Sequence, residues 1–240
     1  MKRSELSVVL PCYNEAKSIP LLLKRFAEVI GKRNVELVIV NNGSFDNTEE
    51  VLETELKKPK YKFARTVTVN KNKGYGYGIM FGLKHCKGDV LAYTHADLQC
   101  DPLDVKRAYD ELLEYPDMKR VLVKGHRTTR VLTELLITKG LHMIATILFF
   151  RNFDDINGQP KVFHKSFLEK LSKPPYDFKF DFYIQYVALK SNMRVEGIPV
   201  QFGRRRHGES HWAYSIMSKV RTYWDFFKYM LKLSVFDLFR

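Results

Sequence analysis

Cysteine is scarce: Cys12, Cys86 and Cys100 are the only three in 240 residues. An odd count with no CxxC pair excludes a disulfide framework and a structural zinc site, and it fits a reducing cytoplasm. Long apolar runs are missing too. The longest, residues 141–150, contains His142 and falls far short of the ~20 residues that a membrane span requires. Near the start, Lys2 and Arg3 precede an apolar stretch that Pro11, Asn14 and Glu15 cut short, so no signal peptide is expected there. Neither GxGxxG nor Gly-Lys-Ser/Thr occurs, which argues against a Rossmann dehydrogenase and a P-loop ATPase. Repeats, low-complexity tracts and Pro/Gly/Ser linkers are also absent from the sequence, so one domain is the simplest organisation.

Acidic residues are the remaining shortage. Lys and Arg number 40 against 27 Asp and Glu, a net charge of +13. Residues 1–120 carry a net +3 and residues 121–240 a net +10. The second half therefore faces polyanions (phosphates, an anionic membrane surface or nucleic acid) or is simply a solubilising surface. What is present is globular: 45% hydrophobic and 28% charged residues exclude disorder, collagen and coiled coil.

Strand and helix signals alternate through the first half. Residues 6–10 read as a buried strand stopped by Pro11. Residues 18–30 place Ile19, Leu22, Leu23, Phe26 and Ile30 at helical spacing, with Gly31 as the stop. Strands are expected at 35–40, 64–69 and 90–93, and helices at 48–56 and 78–85. The second half adds helices at 102–113, 132–150, 165–171, 182–191 and 215–239, and strands at 120–123 and 194–202. Apolar strands separated by helices predict an α/β fold with a mostly parallel central sheet covered on both faces.

Four polar clusters follow the first four expected strands: Pro11, Cys12, Tyr13, Asn14, Glu15; Asn41, Asn42, Gly43, Ser44, Asp46; Lys73, Gly74, Tyr75, Gly76, Tyr77, Gly78; and His95, Ala96, Asp97, Leu98, Gln99, Asp101. In an open α/β sheet all four meet at the carboxyl edge. There they offer an aromatic ring, amides and hydroxyls, a flexible glycine loop and carboxylates, which suits a nucleotide with a divalent metal.

With these clusters in order, then Gly125-His126-Arg127 and Arg-x-x-Gly-Glu-Ser at 205–210, residues 5–212 resemble inverting glycosyltransferases of family 2. These have the GT-A fold, and among them the chain is similar to the dolichol-phosphate mannosyltransferase group. The resemblance implies a nucleotide-diphosphate sugar donor of the UDP or GDP type and a polyprenyl-phosphate acceptor. It implies base and ribose contacts at Pro11, Tyr13, Glu15, Asn42, Lys73, Gly74 and Ala96, with Asn42 standing where relatives have Asp. It implies a metal segment of His95, Asp97 and Gln99, with His95 in place of the first Asp. Asp97 is the principal ligand for Mg²⁺ or Mn²⁺, and Asp101 is a possible third oxygen. His95 either ligates that metal or only caps its strand. Arg205, Arg206 and Ser210 form an expected mobile loop over the diphosphate. Arg204, Arg205 and Arg206 also read as a nucleic-acid patch, but no helix-turn-helix, RRM or OB signature accompanies them, so no nucleic-acid partner is expected.

The acceptor is the open point. A hydroxyl acceptor, in polysaccharide or lipid-linked oligosaccharide synthesis, needs a base, for which Asp181 is the candidate; Asp181 is equally a helix N-cap. A phosphate acceptor needs cations instead, for which Arg127, Arg130 and Lys139 are candidates. Lys161 retains a positive charge in a segment where relatives have Phe-Arg. A catalytically idle family member is the remaining alternative. The expected organisation is a transferase domain over 1–211 and an amphipathic helical segment over 212–240. That segment mixes Trp212, Trp224, Phe226 and Phe227 with Lys219, Arg221, Lys228 and Lys232, as either core or membrane-interface residues. The expected location is cytoplasmic, peripherally attached to the cytoplasmic face of a membrane.

Overall fold

The computed structural model describes residues 5–30, 33–128, 132–203 and 216–238, with backbone alone for 132–138, 216–220 and 236–238. Gly31 and Arg130 lie outside the described residues. Seven strands form one sheet: β1 (Leu6–Cys12), β2 (Val35–Asn42), β3 (Ala64–Val69), β4 (Val90–Tyr93), β5 (Val121–Arg127), β6 (Lys161–His164) and β7 (Arg194–Val200). Their order is β3-β2-β1-β4-β6-β5-β7. Every neighbour pairs in parallel except β6, which runs antiparallel to both β4 and β5.

Successive side chains of a strand point to opposite faces. Val8 and Leu10 of β1 thus enter one core and Val9 the other. The first core is closed by α1 (Ile19–Ile30), α2 (Thr48–Leu56) and α4 (Pro102–Leu113). The second is closed by α3 (Tyr75–His85), α5 (Leu132–Phe149), α6 (Phe180–Lys190) and α7 (Ile216–Leu238). Helix α1 buries the five apolar residues its spacing predicts.

Several boundaries differ from the sequence reading. Pro11 does not stop β1; it pairs in register with Val40. Helix α3 begins at Tyr75, so Gly76 and Gly78 are helical and no flexible glycine loop exists there. A Cβ on Gly82 of the same helix would stand 2.4 Å from Val9 Cγ1, which explains how closely α3 lies on the sheet. Strand β5 runs past the apolar stretch to Arg127, because Lys124 is buried within it. Strand β6 was not expected, since four residues reading Lys-Val-Phe-His carry little strand signal. Residues 165–170 are a 3-10 turn rather than an α-helix.

On the sheet edge opposite the four polar clusters, Glu36 is buried and accepts hydrogen bonds from Ser7 Oγ at 2.6 Å, Arg65 Nε at 2.8 Å and the Lys87 N–H at 3.0 Å. Burial pushes its pKa up, but these three donors outweigh burial and hold it below the ordinary glutamate value. The stability Glu36 supplies is therefore complete above the unfolded-state pKa and is lost as pH falls through the depressed folded-state value. Glu36→Gln is expected to cost about 1–3 kcal/mol at neutral pH. It should also flatten the acid limb of the stability profile, measured as urea midpoints between about pH 3 and 7.

Candidate active site

The four clusters meet at one rim. The first and second are laced together: Asn14 N–H donates to Ser44 Oγ, Glu15 N–H to Thr48 Oγ1 and Ala16 N–H to Asp46 Oδ2. The second joins the third through Asn42 Nδ2, which donates to the Gly74 carbonyl at 3.0 Å. The third joins the fourth where the Tyr75 and His95 rings stack, centroids 5.7 Å apart. Cys12 lies among all of this. Its thiol pKa is pushed well up by burial and then by the carboxylates of Glu15, Asp97 and Asp46, one from each of three clusters.

Around the rim, Pro11, Tyr13 and Gly74 are partly buried, Glu15 and Ala96 are buried, and Lys73 is exposed with Nζ 4.8 Å above the Tyr77 ring. Glu15 accepts from Ser18 Oγ. Asn42 is 2% exposed, and its Oδ1 has no hydrogen-bond partner among the described residues. A buried acceptor left open in this way costs free energy until a donor arrives, such as a hydroxyl or a base N–H.

Asp97 Oδ1 accepts the Gln99 N–H, and Gln99 Nε2 donates to the Gly203 carbonyl. These bonds set the turn after β4, with Leu98 at φ +62. Asp101 does not join it. Its carboxylate caps α4 by accepting from Leu103 N–H and pairs with Arg25, so it is not a third metal oxygen. The His95 ring is held in an aromatic ladder with Phe178, Tyr75 and Phe202. Among the described residues no group of three His, Cys, Asp or Glu forms a metal cluster. The donor set left is one carboxylate with an amide oxygen. That fits Mg²⁺ or Mn²⁺, which takes one or two carboxylates and completes its shell with phosphate oxygens and water.

Deeper in, Asp181 is almost wholly buried. Oδ1 accepts from Lys161 Nζ at 2.8 Å, Tyr93 Oη at 2.9 Å and Gln159 Nε2 at 2.7 Å, while Oδ2 faces Tyr75 Oη at 3.4 Å. Asp181 is not an N-cap, because α6 starts one residue earlier and Lys179 holds that position. Lys161 is fully buried and gives its other protons to the Ile156 and Gly158 carbonyls. Burial pulls its pKa down against the opposing charge of Asp181. Lys161 is therefore a structural cation, not one that faces an acceptor. It reaches the rim because β6 runs antiparallel and begins where its neighbours end.

Beside this network, Asp155 grips Arg127 through the backbone N–H, Nε and Nη2, the last at 2.7 Å from Oδ1. The guanidinium lies 5.4 Å over the Phe202 ring. Lys124, also buried, is 3.7 Å from Asp154 Oδ2, which in turn meets His126 Nδ1 at 2.7 Å. Burial lowers the Lys124 pKa to about 8, although Asp154 and Asp155 pull it upward. Lys139 is exposed on α5. Arg205, Arg206 and Ser210 lie outside the described residues. The sequence reading missed Asp154, Asp155, Tyr93 and Lys124. A lysine inside an apolar strand and an Asp pair just before Gly158 were the available signals.

The family model described as "Glycosyl transferase family 2" matches residues 7–172, well over half of the chain. Among curated proteins, the chain is 27% identical to an undecaprenyl-phosphate 4-deoxy-4-formamido-L-arabinose transferase of Edwardsiella ictaluri, over 92% of this chain and 66% of that one. It is 26% identical to a dolichol-phosphate mannosyltransferase of Pyrococcus furiosus, over 86% and 58% respectively. The chain thus spans about two thirds or less of the length of these relatives. Among solved structures, it is similar to the Pyrobaculum calidifontis mannosyltransferase PcManGT in complex with GDP-Man and Mn²⁺ (TM-score 0.65, 18% identity, 89% of this chain and 60% of that one). It is also similar to Mycobacterium tuberculosis glucosyl-3-phosphoglycerate synthase with Mn²⁺ and UDP-glucose (TM-score 0.68, 20% identity, 91% and 76%). These structural likenesses identify the fold as GT-A. With the motifs in order on that fold, the chain belongs to glycosyl transferase family 2.

Proposed function

We propose that the chain transfers a sugar, with inversion, from a nucleotide-diphosphate sugar of the UDP or GDP type to a polyprenyl-phosphate acceptor. The observation that carries the choice of acceptor is the closed Asp181 network. A hydroxyl acceptor must lose a proton to a base. Asp181 is sealed from solvent, and its Oδ1 already takes three donors, one of them an ammonium. A phosphate acceptor arrives as an anion and needs only cations to orient it. Arg127, fixed by Asp155, is suited to bidentate phosphate contact, with Lys139 as a second charge. The names of the curated relatives point the same way, since both include a polyprenyl phosphate.

On the donor side, Pro11, Tyr13, Glu15, Asn42, Lys73, Gly74 and Ala96 are proposed to hold base and ribose, with Asn42 Oδ1 accepting from a donor hydroxyl or N–H. Asp97 and the Gln99 carbonyl are the proposed ligands of Mg²⁺ or Mn²⁺; such an ion, when bound, neutralises charge on the departing diphosphate. His95, held in the aromatic ladder, is proposed to wall the same space. Arg205, Arg206 and Ser210 are proposed to close over the diphosphate.

Contact with an anionic membrane surface is proposed through α5 and α7, at the cytoplasmic face, with 1–211 as the transferase domain and 212–240 as the interface element. Among the described residues no helix is long and apolar enough to cross a membrane. Helix α7 instead docks on the second core through Phe226 and Met230, and Tyr229 meets Phe182 edge-on. Its outer side leaves Trp224, Leu231 and Val235 exposed, α5 exposes Met143 and Ile147, and Phe150 just past the end of α5 is exposed as well. Exposed Arg221, Lys228 and Lys232 border them on α7. Apolar residues rimmed by cations match an interfacial helix pair.

Four outcomes are expected. Wild-type protein with Mn²⁺ and UDP- or GDP-sugar at about 100 times the dissociation constant should gain about 2.7 kcal/mol of stability. Asp97→Asn should lose the metal-dependent part of that gain in a thermal shift assay. In a transfer assay with polyprenyl phosphate, Arg127→Ala should lower kcat/KM by about 10- to 100-fold. Asp181→Asn should act mainly by stranding Lys161, at about 3–5 kcal/mol of stability. Activity that survives Arg127→Ala, together with transfer to a saccharide hydroxyl, would reverse the assignment of acceptor. Finally, Ile147→Glu and Trp224→Glu should each weaken co-sedimentation with anionic vesicles at low salt, and no binding by the wild type would end the membrane reading.

A further inference from the structure

We propose that Phe45 is a base-contacting residue, and that the nucleobase of the donor seats in the corner between the Phe45 and Tyr13 rings. The inference rests on the nucleotide-donor reading above and adds a residue to it. Phe45 is 81% exposed. Its position is nevertheless tightly set. The Phe45 N–H donates to Asn14 Oδ1 at 3.0 Å, Asn14 N–H donates to Ser44 Oγ at 3.1 Å, and Ser44 N–H donates to Asn41 Oδ1 at 3.2 Å. Asn14 at φ +58 and Gly43 at φ +72 make the two tight turns that this lacing requires. The loops after β1 and β2 are thereby locked to each other with one ring on each.

The rings are 5.9 Å apart at an interplanar angle of 79°. The two rings meet edge to face, which leaves a corner beside them in which a flat heterocycle can lie face-on to one ring with its edge against the other. Both arrangements are favourable for aromatic groups, and stacking accepts any base because every base has a π face. The surroundings disfavour a protein partner. The exposed neighbours of Phe45 on the next turn and helix are Asn47, Glu49 and Glu50, so the ring stands alone among polar and acidic groups instead of forming part of an apolar patch. A single wet ring beside a second aromatic, at the carboxyl ends of β1 and β2, suits a small planar ligand.

The test is isothermal titration of wild type, Phe45→Ala and Phe45→Trp with UDP, GDP and pyrophosphate, each with Mn²⁺, alongside thermal unfolding without ligand. Phe45→Ala should weaken both nucleotides by about tenfold and leave pyrophosphate binding and the unliganded melting temperature unchanged. Phe45→Trp should bind the nucleotides as tightly as wild type. Equal nucleotide affinity of Phe45→Ala and wild type would overturn the proposal, as would a matching loss for pyrophosphate, which would mean that Phe45 shapes the loop and does not touch the base. If the wild type binds pyrophosphate but neither nucleotide, the nucleotide-donor reading itself falls, and this inference with it.

Discussion

A lysine ammonium enclosed by protein is tolerable only if each of its protons finds an acceptor and its charge finds a counter-charge, because several kcal/mol of hydration are lost on burial. Lys161 meets both conditions through Asp181 and two carbonyls. The same carboxylate collects Tyr93 from β4, Gln159 from the segment before β6 and Tyr75 from the start of α3. Four separate stretches of chain are thus tied at one point beneath the rim. Such a network is worth little net stability relative to an apolar core, but it is intolerant of partial satisfaction, and so it specifies one arrangement of those stretches. The floor of the site is set in this way.

Above that floor the walls are held by side-chain-to-backbone bonds between turns. Asn14, Ser44, Thr48 and Asp46 lace the loops after β1 and β2; Asn42 and Asn72 fasten Gly74. Close packing leaves no room for larger residues at the key crossings, since a Cβ on Gly74 would lie 2.3 Å from the Tyr176 carbonyl. What these bonds leave open is as informative as what they close. Asn42 Oδ1 remains without a partner among the described residues.

The excess of positive charge in the second half resolves into distinct jobs. Lys161 and Lys124 are buried and locally paired. Arg127 is presented at the site but pre-positioned by Asp155, so its guanidinium plane is already set before any anion arrives. Lys228 lies over Trp224 on the outer surface of α7. Net charge by region foretells only that anions are met somewhere; counter-charges decide which cations are available to them.

How much was legible in the sequence follows from how local each signal is. Strand and helix periodicity, the place of the four polar clusters and their common edge depend on neighbours within a few residues and on the handedness of crossovers, so the α/β sheet, the α1 core residues and the convergence of Tyr13, Asn42, Tyr75 and Asp97 were readable in advance. The glycine cluster misled, because Gly76 and Gly78 lie within α3 and serve its close packing, Gly76 against Pro175 and Phe180 and Gly78 against Asn42, not loop mobility. Asp101 misled because one carboxylate beside Pro102 caps a helix as readily as it binds a metal. Strand β6, the burial of Lys161, the closing of Asp181 and the Asp155 grip on Arg127 are decided by contacts between segments 20 to 106 residues apart. Residue types alone determined that polar, metal-compatible turns would gather at the carboxyl edge of a parallel sheet, since alternation and chirality act locally. Only the tertiary structure determined which of those charges would face a ligand and which would neutralise each other, because burial and pairing are properties of the assembled fold.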